Sequence, residues 1–388
     1  MFRVIFEPER GQRVPIRVWA SAISPEAVRQ LQRLASRPYV ADFVAAMADA
    51  HLSEGVAVGT VFATEQTVVP RALGGDLGCG MSALQIGEDA ESLDRRTLED
   101  IVRALGRVIP AGSALHRGRG IGVPEAIFAS QLSTGALEHA REALARRHLG
   151  TLGGGNHFLE LDRDPDGGLW LLVHSGSRGL GAAVAAHHDR AASASAHDAD
   201  ALAGIDVQTS GGAAYLSDVA WALEFARANR ETIASRALDV LADFLPVSVD
   251  VTKRVDIHHN FVSKERWFGR DLFVHRKGAV AVPHGTLALI PGSMGTASYI
   301  VEGLGNEDAF GSCSHGAGRV MSRKEARAAI RPDAFERAMR RVVYPNNLAR
   351  HLVEEAPAAY RDITEVLSVQ EDLVRRRLRL EPIAVLKG

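Results

Sequence analysis

This chain of 388 residues carries only two cysteines, Cys79 and Cys313. Two thiols cannot staple a disulfide scaffold, and such sparse use fits a reducing compartment. No run of 18 apolar residues occurs, which removes a membrane-spanning helix. The first ten residues hold Glu7 and Glu9 and no long apolar stretch, which argues against a secretion signal. Together these point to the cytoplasm. Lysine is scarce as well: five against 40 arginines, with a net charge of −2. So neutral a balance gives no global attraction to nucleic acid, and any such binding must come from local arginine clusters. The arginine bias, beside abundant alanine, also reads as the mark of a GC-rich genome. The phosphate-binding signature G-x-x-x-x-G-K-[ST] is missing, and no K-x-D-G segment offers a lysine nucleophile for nucleotidyl transfer.

What is present is an ordinary globular composition, 46% hydrophobic and 24% charged, with material for a large core. Ser24 reads as the N-cap of a helix over Pro25–Leu34, with Pro25 at its first position. Strand-like runs occupy 56–72 and 81–86. Helices are expected over Asp94–Val108 and over Ala136–His148, the second with Leu137, Ala140 and Leu144 on one face and a stop at Gly150. A short strand should pass through Phe158 and Leu159, and another, Leu169–Val173, should end at His174. Residues 182–245 read as helical, broken near Gly204–Gly212 and stopped by Pro246. Short strands return at 247–251, 272–275, 279–282 and 286–290. Ser322 caps a helix over Arg323–Ile330 that Arg331-Pro332 ends, and Pro382–Gly388 reads as a last strand. The chemically suggestive loops are spread from 49 to 319, and no linker or repeat divides them. The expected fold is therefore α+β: one large domain over 1–388, mixed β-sheets in the core, helices outside and a helical insertion at about 182–245.

The glycine-rich segment Gly74-Gly-Asp-Leu-Gly-Cys-Gly-Met81 sets a carboxylate and a thiol three residues apart. A lone Cys among glycines reads by itself as a small buried residue. Asp76 changes that reading, because a thiolate can bridge two divalent metals while a carboxylate completes one of them. His157 follows three glycines and Asn156, His174 ends an apolar strand, and His259 precedes Asn260. Each alone reads as a structural or surface histidine; three at strand or loop edges with polar neighbours suggest ligands. His139, His187, His188, His197 and His351 lie in helical, alanine-rich or charged surroundings and read as surface residues. Pro291, Gly292, Ser293 and Met294 open a small-residue loop whose N–H groups can cradle phosphate. Ser312-Cys-Ser-His-Gly-Ala-Gly-Arg319 holds a lone histidine among small residues. Lacking a lysine motif, covalent activation of a nucleotide would fall to His315, since neutral imidazole is nucleophilic.

These segments resemble the RtcB family of GTP-dependent RNA ligases, which join RNA 3′-phosphate or 2′,3′-cyclic phosphate ends to 5′-hydroxyl ends. The resemblance rests on Asp76-Leu-Gly-Cys-Gly, Gly154-Gly-Asn-His-Phe-Leu-Glu160, His174-Ser-Gly-Ser-Arg178, His259-Asn260, Pro291-Gly-Ser-Met-Gly, Ser314-His-Gly-Ala-Gly-Arg319, Glu355-Ala-Pro, Tyr360-Arg-Asp-Ile and Leu386-Lys-Gly. They stand in the family's order and cover nearly the full chain. The resemblance implies an RtcB-like fold, two Mn²⁺ ions and GTP. Cys79 would bridge the ions, with Asp76 and His157 on one and His174 and His259 on the other. His315 would become the guanylylated residue. Glu160, Ser298 and Lys387 would contact the nucleotide, Asn156 a phosphate oxygen and Arg178 an RNA phosphate. Asn260, Pro291, Gly292, Ser293, Met294, Gly316, Ala317 and Gly318 would complete the nucleotide site. The implied partners are RNA ends, from tRNA or damaged RNA, with room for an archease-like activator.

One stretch departs from the family pattern. Where relatives often show Pro-Asp-Val-His followed by Gly and Lys or Tyr, this chain reads Ala48-Asp-Ala-His51-Leu-Ser-Glu54. Glu54 adds negative charge there, which bears on RNA-end preference and hints at a divergent bacterial paralogue for RNA repair. Two rivals stand beside ligation. One is a dimetal RNA-end phosphodiesterase or phosphatase, which would need no guanine pocket. The other is a non-catalytic RNA-end or ribosome-binding module, which would need no metals.

Overall fold

The caps decide where helices begin. Ser24 accepts a hydrogen bond from the Ala27 amide ahead of α1 (Pro25–Ala35), and Asp94 accepts from Thr97 ahead of α2 (Arg95–Val108). This computed structural model describes residues 2–87, 89–194, 202–345 and 349–387, without the side chains of Val251 and Ala349. The remaining helices are α3 (Ala126–Ala129), α4 (Gly135–His148), α5 (Arg178–Ala194), α6 (Ser210–Leu241), α7 (Arg323–Ala329), α8 (Pro332–Ala338), α9 (Ala349–Leu352) and α10 (Ile363–Ser368). In chain order the strands are β1 (Arg3–Ile5), β2 (Ile16–Val18), β3 (Ala41–His51), β4 (Val58–Thr64), β5 (Thr67–Val68), β6 (Gly80–Gly87), β7 (Phe158–Arg163), β8 (Leu169–Ser175) and β9 (Ile205–Asp206). They continue as β10 (Asp250–His258), β11 (Asn260–Trp267), β12 (Arg270–Lys277), β13 (Ala279–Ala281), β14 (Leu287–Ile290), β15 (Ser298–Gly303), β16 (Ser312–Ser314) and β17 (Val374–Lys387). Among the described residues no helix is long and apolar enough to cross a membrane.

Two large sheets organise this α/β mixture. One runs β1-β2-β3-β4-β12-β11 and the other β10-β6-β8-β7-β17-β15-β14. Every pair is antiparallel except β2 with β3. Successive side chains alternate between faces, so Ala45 and Met47 of β3 meet Met81, Ala83 and Leu172 in a cluster shared by both sheets. Val44 and Ala46 point the other way, onto Ala27, Leu31 and Leu34 of α1. On the far face of the second sheet, Leu159, Leu171 and Val173 pack against Leu98, Ile101 and Leu105 of α2 and Ile233 and Leu241 of α6. Burial on both faces explains why β3 and β8 read as continuous apolar runs rather than alternating ones. Each fully buried Leu or Ile contributes about 1.5–3 kcal/mol.

Several boundaries differ from the sequence expectation. The strand expected at 247–251 is β10, which starts at Asp250 and runs to His258. Strands β11 and β15 went unread because charged and small residues interrupt their alternation. The closing strand is fourteen residues long, not seven, because Arg375, Arg376 and Arg377 are exposed and hide its period. Pro332 does not merely end a helix; it opens α8 at a first-turn position. α5 begins at Arg178, ahead of the expected 182, and α6 begins at Ser210, inside the expected break, with Thr209 as its cap. His188 is not a surface residue: it is buried, with Nε2 2.7 Å from Asp218 Oδ2. His197 lies outside the described residues.

Candidate metal and nucleotide site

Five neighbouring strands of the second sheet, in the order β10-β6-β8-β7-β17, bring one functional side chain each to the same end. His259 follows β10, Cys79 precedes β6, His174 is near the end of β8, His157 precedes β7, and Lys387 ends β17. The registers His258 with Gly80, Met81 with His174, Phe158 with His174 and Lys387 with Phe158 fix this line-up. A one-residue slip would turn a ligand to the opposite face.

Ligand atoms of Cys79, His174 and His259 lie within 4.8 Å of one another, and so do those of Asp76, Cys79 and His157. Cys79 belongs to both groups. Its Sγ is 3.3 Å from His157 Nε2 and 3.3 Å from His174 Nε2, while Asp76 Oδ2 is 3.0 Å from His157 Nε2. His174 Nδ1 lies 3.1 Å from the Asn156 carbonyl and His157 Nδ1 3.0 Å from the Leu152 carbonyl. A carbonyl only accepts, so each Nδ1 holds the proton and each Nε2 is left with a lone pair. Arg178 Nη1 also stands 3.1 Å from His157 Nδ1. A guanidinium only donates, so that contact cannot be a hydrogen bond while Nδ1 gives its proton to Leu152.

Burial, and then neighbouring imidazoles, hold His174 and His259 well below the usual histidine range, so both are neutral. Burial, then the Asp76 carboxylate, pushes the Cys79 thiol up. Asp76 Oδ1 and His259 Nδ1 are buried without a hydrogen-bond partner. Neutral imidazoles, a carboxylate, a shared thiol and two orphaned donor atoms fit a buried divalent metal site.

The imidazoles continue as a row. Ring centroids are 5.0 Å apart for His157 and His174, 5.1 Å for His174 and His259, and 4.8 Å for His259 and His315. His315 is held by a residue missed in the sequence reading, Asp49, fully buried on β3. Asp49 Oδ2 accepts from the His315 and Gly316 amides at 3.2 and 3.3 Å and lies 2.6 Å from His315 Nδ1. Gln370 ties the preceding residue, accepting from the Ser314 amide and donating to its hydroxyl.

Beyond this row opens a cavity of about 570 Å³. Asn156, Glu160, His259, Asn260, Pro291, Gly292, Ser293, Met294, His315, Gly316, Ala317, Gly318 and Lys387 all line it. Asn260 spends both ends of its amide on the scaffold, accepting from Gly278 N and donating to Asp76 O. Ser298 is buried at the start of β15 and is not part of the cavity lining. Arg178 also stands outside the lining, beside His157, with a left-handed φ of 57°.

Glu160 is fully buried and its Oε1 has no partner. Burial, then Asp162 two residues along the strand, pushes its carboxyl well up. Lys387 Nζ sits 3.3 Å from Glu355 Oε2. Glu355 also accepts from Arg319, Arg323 and the Tyr360 hydroxyl. Burial alone would raise the Glu355 carboxyl, but Lys387, Tyr360 and the two arginines override it and hold it at about 2. The sequence segments at 355 and 360 signal this network without disclosing its geometry. Lys277, also on the lining, donates to the Glu54 and Val56 carbonyls, and burial lowers it to about 8.

The helical stretch holds two more residues that sequence reasoning missed. Asn229 donates to Thr151 O, Ser175 Oγ and Gly176 O and accepts from Gly150 N at 2.7 Å. Arg230 grips Asp256 at 2.8 and 2.9 Å and reaches Gly78 O and Ser175 O. Both side chains are fully buried.

A buried thiol–imidazole cluster facing a nucleotide-sized cavity, with an imidazole held between them, defines a class: metal-assisted enzymes of phosphoryl or nucleotidyl transfer. The family model described as tRNA-splicing ligase RtcB matches residues 30–388, and the chain belongs to that family. It is 34% identical over 406 residues to the RNA-splicing ligase RtcB of Escherichia coli K12, covering 97% of this chain and 98% of that protein. The RNA-splicing ligase RtcB of Mycobacterium tuberculosis is 31% identical over 92% of this chain and all of its own length. The tRNA-splicing ligase RtcB of Pyrobaculum aerophilum is 28% identical over 97% of this chain and 95% of its own.

Proposed function

We propose that this protein is an RNA ligase that joins 3′-phosphate or 2′,3′-cyclic phosphate ends to 5′-hydroxyl ends through a histidine–GMP intermediate. The observation that carries the reading is the row of four imidazoles, in which His315 stands 4.8 Å from His259 and faces the cavity that Glu160 and Lys387 close. In this reading Asp76, Cys79 and His157 would hold one Mn²⁺ ion, and Cys79, His174 and His259 the other. When bound, the ions would supply positive charge that neutralises phosphate oxygens.

The chain's own groups do the rest. The Asp49 carboxylate, 2.6 Å from His315 Nδ1, favours a proton on that nitrogen and so leaves Nε2 free to attack. Nε2 bonds to the α-phosphorus of GTP, and the bond to pyrophosphate breaks. Water opens any cyclic phosphate to a 3′-phosphate. An oxygen of that 3′-phosphate then bonds to the α-phosphorus as the His315 bond breaks. The 5′-hydroxyl next attacks the activated 3′-phosphorus, loses its proton, and expels GMP. Glu160 accepts from guanine N1 and N2 donors, which adenine lacks. Lys387, held by Glu355, reaches guanine O6, and Asn156 donates to a phosphate oxygen. We place the whole reaction in one domain with its helical insertion, in the cytoplasm, on RNA ends from tRNA or from damage.

The test is incubation with Mn²⁺ and GTP labelled at the α-phosphate, followed by peptide mapping. Label on His315, abolished in His315→Ala while metal content stays, supports the reading. Label on Lys277 or Lys387 would overturn the mechanism, and phosphate release without label would favour a hydrolase. Adding an archease-like activator to the same assay reads whether turnover needs one.

A further inference from the structure

Most arginines of this chain are spent on carboxylates. Arg230, Arg276, Arg319 and Arg323 sit in buried or half-buried ion pairs, and many exposed arginines pair along helices or across strands. A group beside the metal cluster breaks this habit. Arg117, Arg119, Arg146, Arg147, Arg178 and Arg236 make no ion pair among the described residues, whereas Arg71, on the other rim, is held by Asp189. Arg117, Arg119, Arg146 and Arg147 are exposed.

Backbone bonds join them into one ridge. Gly153 takes a φ of +88°, and a Cβ there would fall 1.9 Å from Arg178 Nη2, so the glycine lets the guanidinium lie against the loop. Gly153 O accepts from Gly112 N at 2.9 Å, where the segment 112–121 begins. That segment then runs along the end of α4, with His116 N donating to Arg147 O and Ile121 N to Arg146 O. It contains Arg117 and Arg119 between glycines and no Asp or Glu. Its cations are felt locally: after burial, the charges of Arg178 and Arg147 lower His148, and that of Arg236 lowers His116. Like charges gathered at a surface repel one another, and an anion seated among them offsets that repulsion.

We infer that this arginine ridge, from Arg178 beside His157 out to Arg117, Arg119, Arg146 and Arg147, binds the phosphodiester backbone of the RNA strand whose end enters the cavity. The inference rests on the RNA-ligase reading for its ligand and adds where the strand lies. The ridge is flexible in partner sequence, because phosphate contacts position a strand without reading its bases. It also explains how a chain of net charge −2 holds a polyanion.

The test uses the full chain with the double variant Arg117→Gln/Arg119→Gln, and separately Arg146→Gln/Arg147→Gln. Binding of single-stranded RNA bearing a 3′-phosphate is followed by fluorescence anisotropy across a salt series. Each lost phosphate contact should lower the salt slope by about 0.7, so each double variant should lose about 1.4. RNA of about 16 nucleotides should lose affinity while RNA of about 4 nucleotides, confined to the cavity, should not. KM for RNA should rise several-fold with kcat kept. Labelling of His315 by GTP, which precedes RNA, should equal wild type and shows that the variants fold. An unchanged salt slope and KM in both variants would overturn the ridge. Failure of the wild type to label would instead sink the ligase reading, and the salt slopes would still answer for the ridge.

Discussion

The two walls of the cavity are built in opposite ways. The metal wall is made of neutral or shared groups delivered by adjacent strand ends: His157, His174 and His259 around Cys79, with two imidazoles tied to backbone carbonyls. The facing wall is made of charges that pair with one another: Lys387, Glu355, Arg319 and Arg323 in one network, with Glu160 apart. In the first wall Asp76 Oδ1 and His259 Nδ1 are buried without a hydrogen-bond partner, where a cation would complete them. The second is already compensated, except for the unpartnered Glu160 Oε1. Each wall thus leaves buried polar atoms unpaired where a ligand would meet them.

The sharpest way to break that comparison is Cys79→Ala. One thiol serves both donor groups, so its loss should empty both metal positions and abolish labelling of His315, the largest effect expected of any single change here. Elemental analysis of purified protein reads it directly. Full Mn²⁺ occupancy in the variant would remove the bridging role.

On the other wall, Glu160→Gln should erase nucleotide choice while leaving metal content unchanged. A buried acceptor facing guanine donors discriminates by as much as about 10⁴-fold, and glutamine can turn its amide to suit adenine. The measurement is the ratio of His315 adduct formed with GTP to that formed with ATP. The carboxyl is pushed up in the free protein by burial and Asp162, whereas guanine donors favour the ionised form. GTP binding should therefore release a proton, and affinity should rise with pH below the raised value. In Glu160→Gln this dependence should vanish; if it persists, another group carries the proton.

The metal wall was far more legible in the sequence than its surroundings. Its candidate ligands sit at element ends, where glycine, asparagine and a broken apolar run mark the spot, as with Gly153 to His157 and Leu169 to His174. The strand order that aligns them was not legible, because pairing between β6 and β8 or β7 and β17 depends on register over long separations. Asp49 was passed over for the same reason: nothing local shows that a carboxylate on β3 meets His315 266 residues later. His188 was misjudged because its partner Asp218 lies on the next helix. Helix caps, by contrast, are local chemistry, and Ser24 and Ser322 could be read where they stand.

The smallest effect separates the metal wall from what holds it. The segment read as a helical insertion sends Asn229 and Arg230 into the loops that carry the ligands, at Gly78, Gly150, Thr151, Ser175 and Gly176. Asn229→Ala keeps every ligand but strands several backbone groups, at about 1–3 kcal/mol for each one left unsatisfied. If these bonds only support the fold, the metal-free melting temperature falls and metal affinity, measured below that temperature, stays the same. If they also set the ligand geometry, affinity for Mn²⁺ should weaken by about 10–100-fold, the range seen when groups that orient ligands are removed. We expect the second outcome, because Asn229 donates to Ser175 Oγ and Gly176 O, the two residues directly after His174, rather than to the core. Titration calorimetry of the metal-free protein reads it. Arg230→Lys supplies the check: it keeps the buried charge beside Asp256 but cannot span Gly78 and Ser175 together, so it should weaken metal binding while costing less stability than Arg230→Met.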